Sequence, residues 1–230
     1  MESFGNTSLG GKMKEFIVAL DGPAGSGKST IAKEIAKQYH FTYVDTGAMY
    51  RMITWFFLEH SIAWNKEEVC RKALQGVQLD MKEETFFVNG QDVSEEIRGP
   101  KVSSHVSEIA ALKAVREQLV YLQREIAKGK EVILDGRDIG TVVFPEANVK
   151  IFLLASAEER AKRRFLEYQA KGERISYEEV LQSIQERDHI DSTRKESPLR
   201  KAEDAIEIDS STMSIDEVVA IVSKEIDQKR

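Results

Sequence analysis

Apolar residues along the chain alternate between short uninterrupted runs and longer stretches with helical spacing. Phe16-Ile17-Val18-Ala19-Leu20 is the first run. It is short and partly β-branched, and so predicts a strand buried on both faces. Similar runs fall at 41–45, 132–135, 149–154 and 205–209. Between the first two, Ile31, Ala32, Ile35 and Ala36 share one helical face. The same spacing resumes through Ala48, Met52, Ile53, Phe56 and Phe57. Val102, Val106, Ile109, Leu112, Leu119, Leu122 and Ile126 predict a single helical stretch over 101–128. Two charged helices are predicted over 157–171 and 176–192, and a last one over 214–227. Five strands alternating with helices predict an α/β fold, a five-stranded parallel sheet flanked by helices.

Residues 61–100 break this rhythm. Val77-Gln78-Leu79-Asp80-Met81 alternates, and Thr85-Phe86-Phe87-Val88 runs into Asn89-Gly90, a strong short hairpin signal. The stretch is expected to be a small antiparallel insertion within the core, which then comprises 13–60 and 101–230. Residues 1–12 show no periodicity and are expected to be a flexible tail.

The first strand leads into "DGPAGSGKST", residues 21–30. Gly22-x4-Gly27-Lys28-Ser29 between a strand and a helix is the P-loop pattern in its required context. Glycines let the backbone curl until successive N–H groups point at a phosphate chain, and the helix N-terminus adds partial positive charge. Lys28 brings a full charge to the β- and γ-phosphates, and the Ser29 hydroxyl is a candidate Mg²⁺ ligand. Gly22, Pro23, Ala24, Gly25, Ser26, Gly27, Lys28, Ser29 and Thr30 are therefore the candidate ATP-binding segment. Asp135 ends an apolar strand. It is either a second Mg²⁺ ligand, directly or through water, or a buried structural carboxylate.

Composition narrows the class. With 230 residues, 41% apolar and 31% charged, the chain has ample material for a core. A net charge of −6 gives no overall basic field for nucleic acid. One cysteine, Cys70, excludes an intramolecular disulfide and fits a reducing, cytoplasmic setting. No apolar run approaches membrane-spanning length, no leader pattern opens the chain, and no exposed apolar stripe argues against a monomer. The D-x-x-G of GTPase switches is absent, and the nearest base motif, Asn65-Lys66-Glu67-Glu68, has glutamate where aspartate is needed. A small kinase is left as the leading class, with a nucleotide-binding module without turnover as the rival.

Eight arginines lie between 137 and 200 in this acidic chain. Arg187, Asp191 and Arg194 are spaced to share one helix face. They either hold phosphate and ribose groups or form a solvated face of salt bridges. Arg160, Arg163 and Arg164 carry the same two readings.

Beyond the P-loop, "DTGAMYR" at 45–51, "IRGPKVSSHVSEIAALKAVR" at 97–116, "LDGRDIGTVVFPEANVKIFLLAS" at 134–156 and "ERDHIDSTRKESPL" at 186–199 resemble the bacterial cytidylate kinases over nearly the whole chain. The resemblance implies a P-loop kinase core, a nucleoside monophosphate-binding insertion and a lid at about 158–185. It implies ATP- and Mg²⁺-dependent phosphorylation of CMP and dCMP. By this likeness Arg51, Arg137 and Arg194 grip the acceptor phosphate, and Arg187 and Asp191 hold the ribose. Ser107, Arg116 and Asp138 read the cytosine, and Thr46 joins them as a substrate-binding residue. Lys28, Arg137, Arg194 and a lid arginine, Arg160 or Arg164, are the candidate catalytic cations. One point of geometry stands out. Ser107 and Arg116 are nine residues apart and face opposite sides of a straight helix. To share a ligand, the segment must bend or break between them, or the ligand must lie beyond one end.

Overall fold

The computed structural model describes residues 15–82 and 84–230; the tail expected at 1–12 lies outside them. Strands β1 (Phe16–Asp21), β2 (Thr42–Asp45), β6 (Glu131–Gly136), β7 (Val149–Leu154) and β8 (Ile206–Asp209) form a parallel sheet in the order β2-β6-β1-β7-β8. The central strand β1 is buried along its whole length. Its side chains alternate between two cores. Ile17 and Ala19 join a cluster with α2 (Thr46–Glu59), whereas Phe16, Val18 and Leu20 pack toward α1 (Lys28–Tyr39) and α8 (Ile215–Lys229). This accounts for the unbroken apolar run, because both faces of the strand need apolar side chains. All five strands run the same way, so the segments leaving β1, β2, β6 and β7 gather at one edge, where parallel sheets place their ligands.

The insertion is antiparallel, as its pattern predicts, but it also contains a helix. α3 (Glu67–Leu74) precedes β3 (Leu79–Lys82), β4 (Thr85–Val88) and β5 (Gln91–Asp92). Asn89 and Gly90 make the two-residue turn between β4 and β5 with φ of 51° and 81°, the left-handed pair that matches strand twist. Phe86, Val88, Val93 and Ile97 are buried in the same cluster as α2, so the insertion shares the main core.

The segment 101–128 is not one helix. α4 (Pro100–Ala110) and α5 (Lys113–Ala127) are separated at Ala111-Leu112, where Leu112 is extended with ψ of 126°. Residues 111–114 are Ala-Leu-Lys-Ala, all good helix formers, so local propensity does not break the helix. A side-chain bond across the break and the pairing of Arg116 with Asp138 hold it open. The Arg116 guanidinium donates to the Ala110 carbonyl at 3.2 Å, filling an acceptor that the helix end leaves open.

α6 (Ala157–Ala170) and α7 (Tyr177–Thr193) form a helical hairpin with a small apolar cluster of its own around Ala161, Val180 and Ile184. Ser156 caps α6, and Ser176 with Glu179 makes a reciprocal cap on α7. Among the described residues no helix is long and apolar enough to cross a membrane.

Candidate active site

Residues 22–27 curl at the carboxyl end of β1. Gly22, Gly25 and Gly27 have φ of 152°, 77° and 95°. At Gly22 a Cβ would lie 2.1 Å from the Leu153 carbonyl oxygen, so only glycine fits. Lys28 is buried and turned into the loop, donating to the Pro23 carbonyl at 2.6 Å. Burial and the Arg137 charge hold its ammonium well below the usual lysine range, against the opposing pull of Asp135 and Asp21. Lys28 is thus a buried cation without a directly bonded carboxylate, poised to pair with an anion entering the loop.

Asp135 leaves β6 beside this loop. Its two oxygens accept from the Ser29 hydroxyl at 2.8 Å and the Tyr43 hydroxyl at 3.0 Å, while Thr46 Oγ1 bonds its backbone carbonyl at 2.7 Å. Burial and then the Asp45 charge raise the carboxyl to about 6, opposed by Lys28, Ser29 and Tyr43. A hard divalent cation would relieve this buried carboxylate. Among the described residues no three His, Cys, Asp or Glu side chains gather to cage a metal. Ser29 and Asp135 offer two oxygens, which fits Mg²⁺, an ion that keeps waters and takes phosphate oxygens as further ligands.

One cavity of about 510 Å³ lies against the loop, lined by Gly25 to Ile31, Arg160, Arg163, Arg164, Met213 and Ile215. A second, of about 520 Å³, adjoins it at Gly25, Lys28, Ser29 and Arg164 and receives Lys28, Arg51, Asp135, Arg137, Arg164 and Arg187. Arg51 is anchored there by the Ile97 carbonyl at 3.2 Å and Ser103 Oγ at 3.0 Å. Burial, then the neighbouring Arg164, lowers Arg51 to about 10; burial, then Arg137 and Arg51, lowers Arg187 to about 9. Arg187 Nε is buried without a partner. Cations that depress one another in a half-buried cleft call for a multiply charged anion between them.

The two lid-arginine candidates differ in geometry. Arg160 is buried and spent. It bonds Ala155 O, Ser156 O, Ala24 O and both oxygens of Asp188, at 2.5–3.2 Å. It latches α6 to the phosphate loop and to α7. Arg164 makes one bond through Nε, to the Tyr168 hydroxyl at 3.1 Å, and lines both of these cavities, whereas Arg160 lines only the first.

A third, smaller cavity adjoins the cationic cleft and brings together Thr46, Tyr50, Ser107, Arg116, Asp138 and Asp191. The helix break lets Ser107 and Arg116 face the same space. Arg116 pairs with Asp138, both side chains at most 5% exposed, and its guanidinium lies 5.4 Å from the centre of the Tyr50 ring. Arg137 Nε donates to Asp191 Oδ2 at 2.9 Å. Burial pushes Asp191 up, but Arg137, Arg187 and Arg194 outweigh it and hold the carboxyl below its ordinary range. Arg194 lies here, 3.9 Å from Asp138 and 4.0 Å from Asp191, and not in the cleft with Arg51. Arg187, expected on the ribose, lines both spaces.

Sequence reasoning missed Tyr50, Ser103, Met213 and Ile215, which line these cavities, and Tyr43 and Asp188, which bond Asp135 and Arg160. Tyr50 sits inside "DTGAMYR", the one sequence signal that could have drawn notice to it. Asp21 was also missed. It is buried and accepts from the N–H groups of Ile139 and Gly140. Burial raises its carboxyl to about 7 against these two bonds.

The family model described as cytidylate kinase matches residues 18–228. A cytidylate kinase of Fusobacterium nucleatum is 56% identical over 216 residues, covering 94% of this chain and 99% of its own. That of Carboxydothermus hydrogenoformans is 50% identical, covering 92% and 97%, and that of Lactobacillus johnsonii 46%, covering 93% and 94%. Among solved structures, an uncharacterized protein from Eubacterium ventriosum shares the fold, with a TM-score of 0.51 at 14% identity over 94% of this chain and 99% of its own.

Proposed function

The chain belongs to the cytidylate kinase family, and from that premise we propose how its residues transfer the γ-phosphoryl group of ATP to CMP and dCMP. The observation that carries the reading is the junction of three spaces. A phosphate loop, a cleft of arginines and a pocket built on the Arg116–Asp138 pair adjoin one another in that order.

ATP lies along the phosphate loop, with its base toward Arg163, Met213 and Ile215. Lys28 exchanges the Pro23 carbonyl for the β- and γ-phosphates. Ser29 and Asp135 would hold Mg²⁺, which would offset phosphate charge. Arg51 and Arg137 receive the acceptor phosphate, and Arg187 spans from that phosphate toward the ribose. Asp191 accepts from the ribose hydroxyls, with Thr46 and Ser107 on the rim of the pocket. Asp138 accepts from the cytosine N4 amino group, and Arg116 and Ser107 donate to its acceptor edge. Arg194, within 4.0 Å of Asp138 and Asp191, adds counter-charge to both. Arg164, at the border of the loop cavity and the arginine cleft, offsets charge on the group in transit as the α6–α7 lid closes and excludes water.

Phosphoryl transfer asks mainly for alignment and charge neutralisation. An acceptor phosphate is largely ionised near neutral pH (second pKa about 6). No side chain is therefore assigned as a general base.

Two variants test the acceptor site. Arg51→Ala and Arg137→Ala are each expected to lower kcat/KM for CMP by about 10- to 100-fold, the scale of one charge-assisted bond. The KM for ATP is expected to stay close to the parent's. Equal losses toward both nucleotides would remove that arginine from the acceptor site. A coupled ADP-release assay separates a kinase, which releases ADP when its acceptor is added, from a binding module, which releases none.

A further inference from the structure

Asp21 ends β1 and directly precedes the phosphate loop, yet its carboxylate serves another segment. Buried at 5% exposure, it accepts from two successive backbone N–H groups, Ile139 at 2.8 Å and Gly140 at 2.7 Å. These amides open the wide turn 139–143, which begins immediately after Arg137 and Asp138. The Asp138 carbonyl closes that turn, accepting from Val142 at 2.9 Å and Val143 at 3.1 Å. The backbone on the far side of Asp138 is therefore held by a residue of the phosphate-binding strand.

We propose that Asp21 is a positioning residue for acceptor recognition. It fixes the direction in which Arg137 and Asp138 leave β6, and so couples the ATP loop to the choice of base. Two adjacent donors need a group with two acceptor oxygens, which a carboxyl supplies and an amide does not. Asparagine would turn an NH₂ toward one of them. The fit also explains Gly140. A Cβ there would lie 3.2 Å from Lys150 Cδ and 3.4 Å from Asp21 Oδ2, so the bare backbone lets the amide come close. Lys150 cannot easily yield, because both oxygens of Asp204 hold its ammonium at 2.8 and 2.9 Å.

The proposal rests on Asp138 as the base reader, so Asp21→Asn and Asp138→Asn are measured side by side. The readouts are kcat/KM for CMP and UMP, KM for ATP, and thermal unfolding. Asp21→Asn is expected to lower the CMP-to-UMP ratio about 3- to 10-fold, mostly through a higher KM for CMP, as for one misaligned hydrogen bond. The KM for ATP should stay close to the parent's, and the melting temperature should fall by only a few degrees, the cost of one buried N–H left facing an amide NH₂. A merely structural Asp21 would lower stability and both acceptor activities together, leaving the ratio unchanged; that result overturns the proposal. If Asp138→Asn leaves the ratio unchanged, the base-reader assignment itself fails, and the role of Asp21 falls with it. Should Asp21→Asn not fold, Gly140→Ala crowds Asp21 Oδ2 and Lys150 at the same turn. A lowered ratio then supports the coupling, and an unchanged ratio refutes it.

Discussion

Lys28→Met is expected to reduce turnover by about 100- to 1,000-fold, the cost of removing one preorganised donor from a developing charge, while the fold survives. Lys28 contributes little to packing. Its ammonium is bonded to the Pro23 carbonyl and Ser26 Oγ, at 2.6 and 3.3 Å, and sits in a site that burial makes hostile to charge. Methionine keeps most of the side chain's length and removes a buried cation, so the melting temperature should not fall appreciably. The loss should appear in kcat more than in the KM for CMP, because the acceptor is held by other cations. Near-parental turnover in a folded variant would mean that the loop does not hold the transferring group.

Asp138→Asn is the second large effect. Cytosine presents an N4 donor where uracil presents an O4 acceptor. A buried carboxylate accepts from the first and repels the second, and rejection through an unpaired polar group exceeds what pocket shape achieves. Asparagine keeps the size, removes the charge and can turn an amide donor toward O4. The CMP-to-UMP ratio of kcat/KM is therefore expected to fall about 10- to 100-fold, chiefly by loss of CMP activity, in line with roughly 1–3 kcal/mol for one good base contact. The variant also leaves Arg116 buried without its full counter-charge, so some loss of stability is expected. The ratio is the useful readout because partial unfolding affects both acceptors alike. An unchanged ratio would make Asp138 a structural partner of Arg116 and Arg194.

The strands and the phosphate loop were legible in the sequence because each is a local pattern. Phe16–Leu20 is apolar on both faces, and the glycines that follow it mark a backbone that other residues cannot follow. The Asn89-Gly90 turn was legible for the same reason. The break at Ala111-Leu112 was not, since no local residue opposes a helix there. It depends on Arg116 reaching Ala110 and on Asp138, 22 positions away. Only the nine-residue gap between Ser107 and Arg116 hinted at it. The wide turn after Asp138 rests on Asp21, 118 positions earlier in the chain, and no spacing within the turn reveals that partner. The arginines were legible as a class but not in their individual geometry. Arg160 is bound to Asp188 across the hairpin and Arg194 lies by the two pocket carboxylates, pairings that only the tertiary fold brings about.

The most direct measurement offers the purified protein ATP labelled at the γ-phosphate, Mg²⁺ and an equimolar mixture of CMP, UMP, AMP and GMP, and separates the products. Label is expected in CDP first and predominantly, with UDP well behind it. Labelled ADP or GDP as the main product, or labelled inorganic phosphate without any nucleoside diphosphate, would contradict cytidylate phosphorylation.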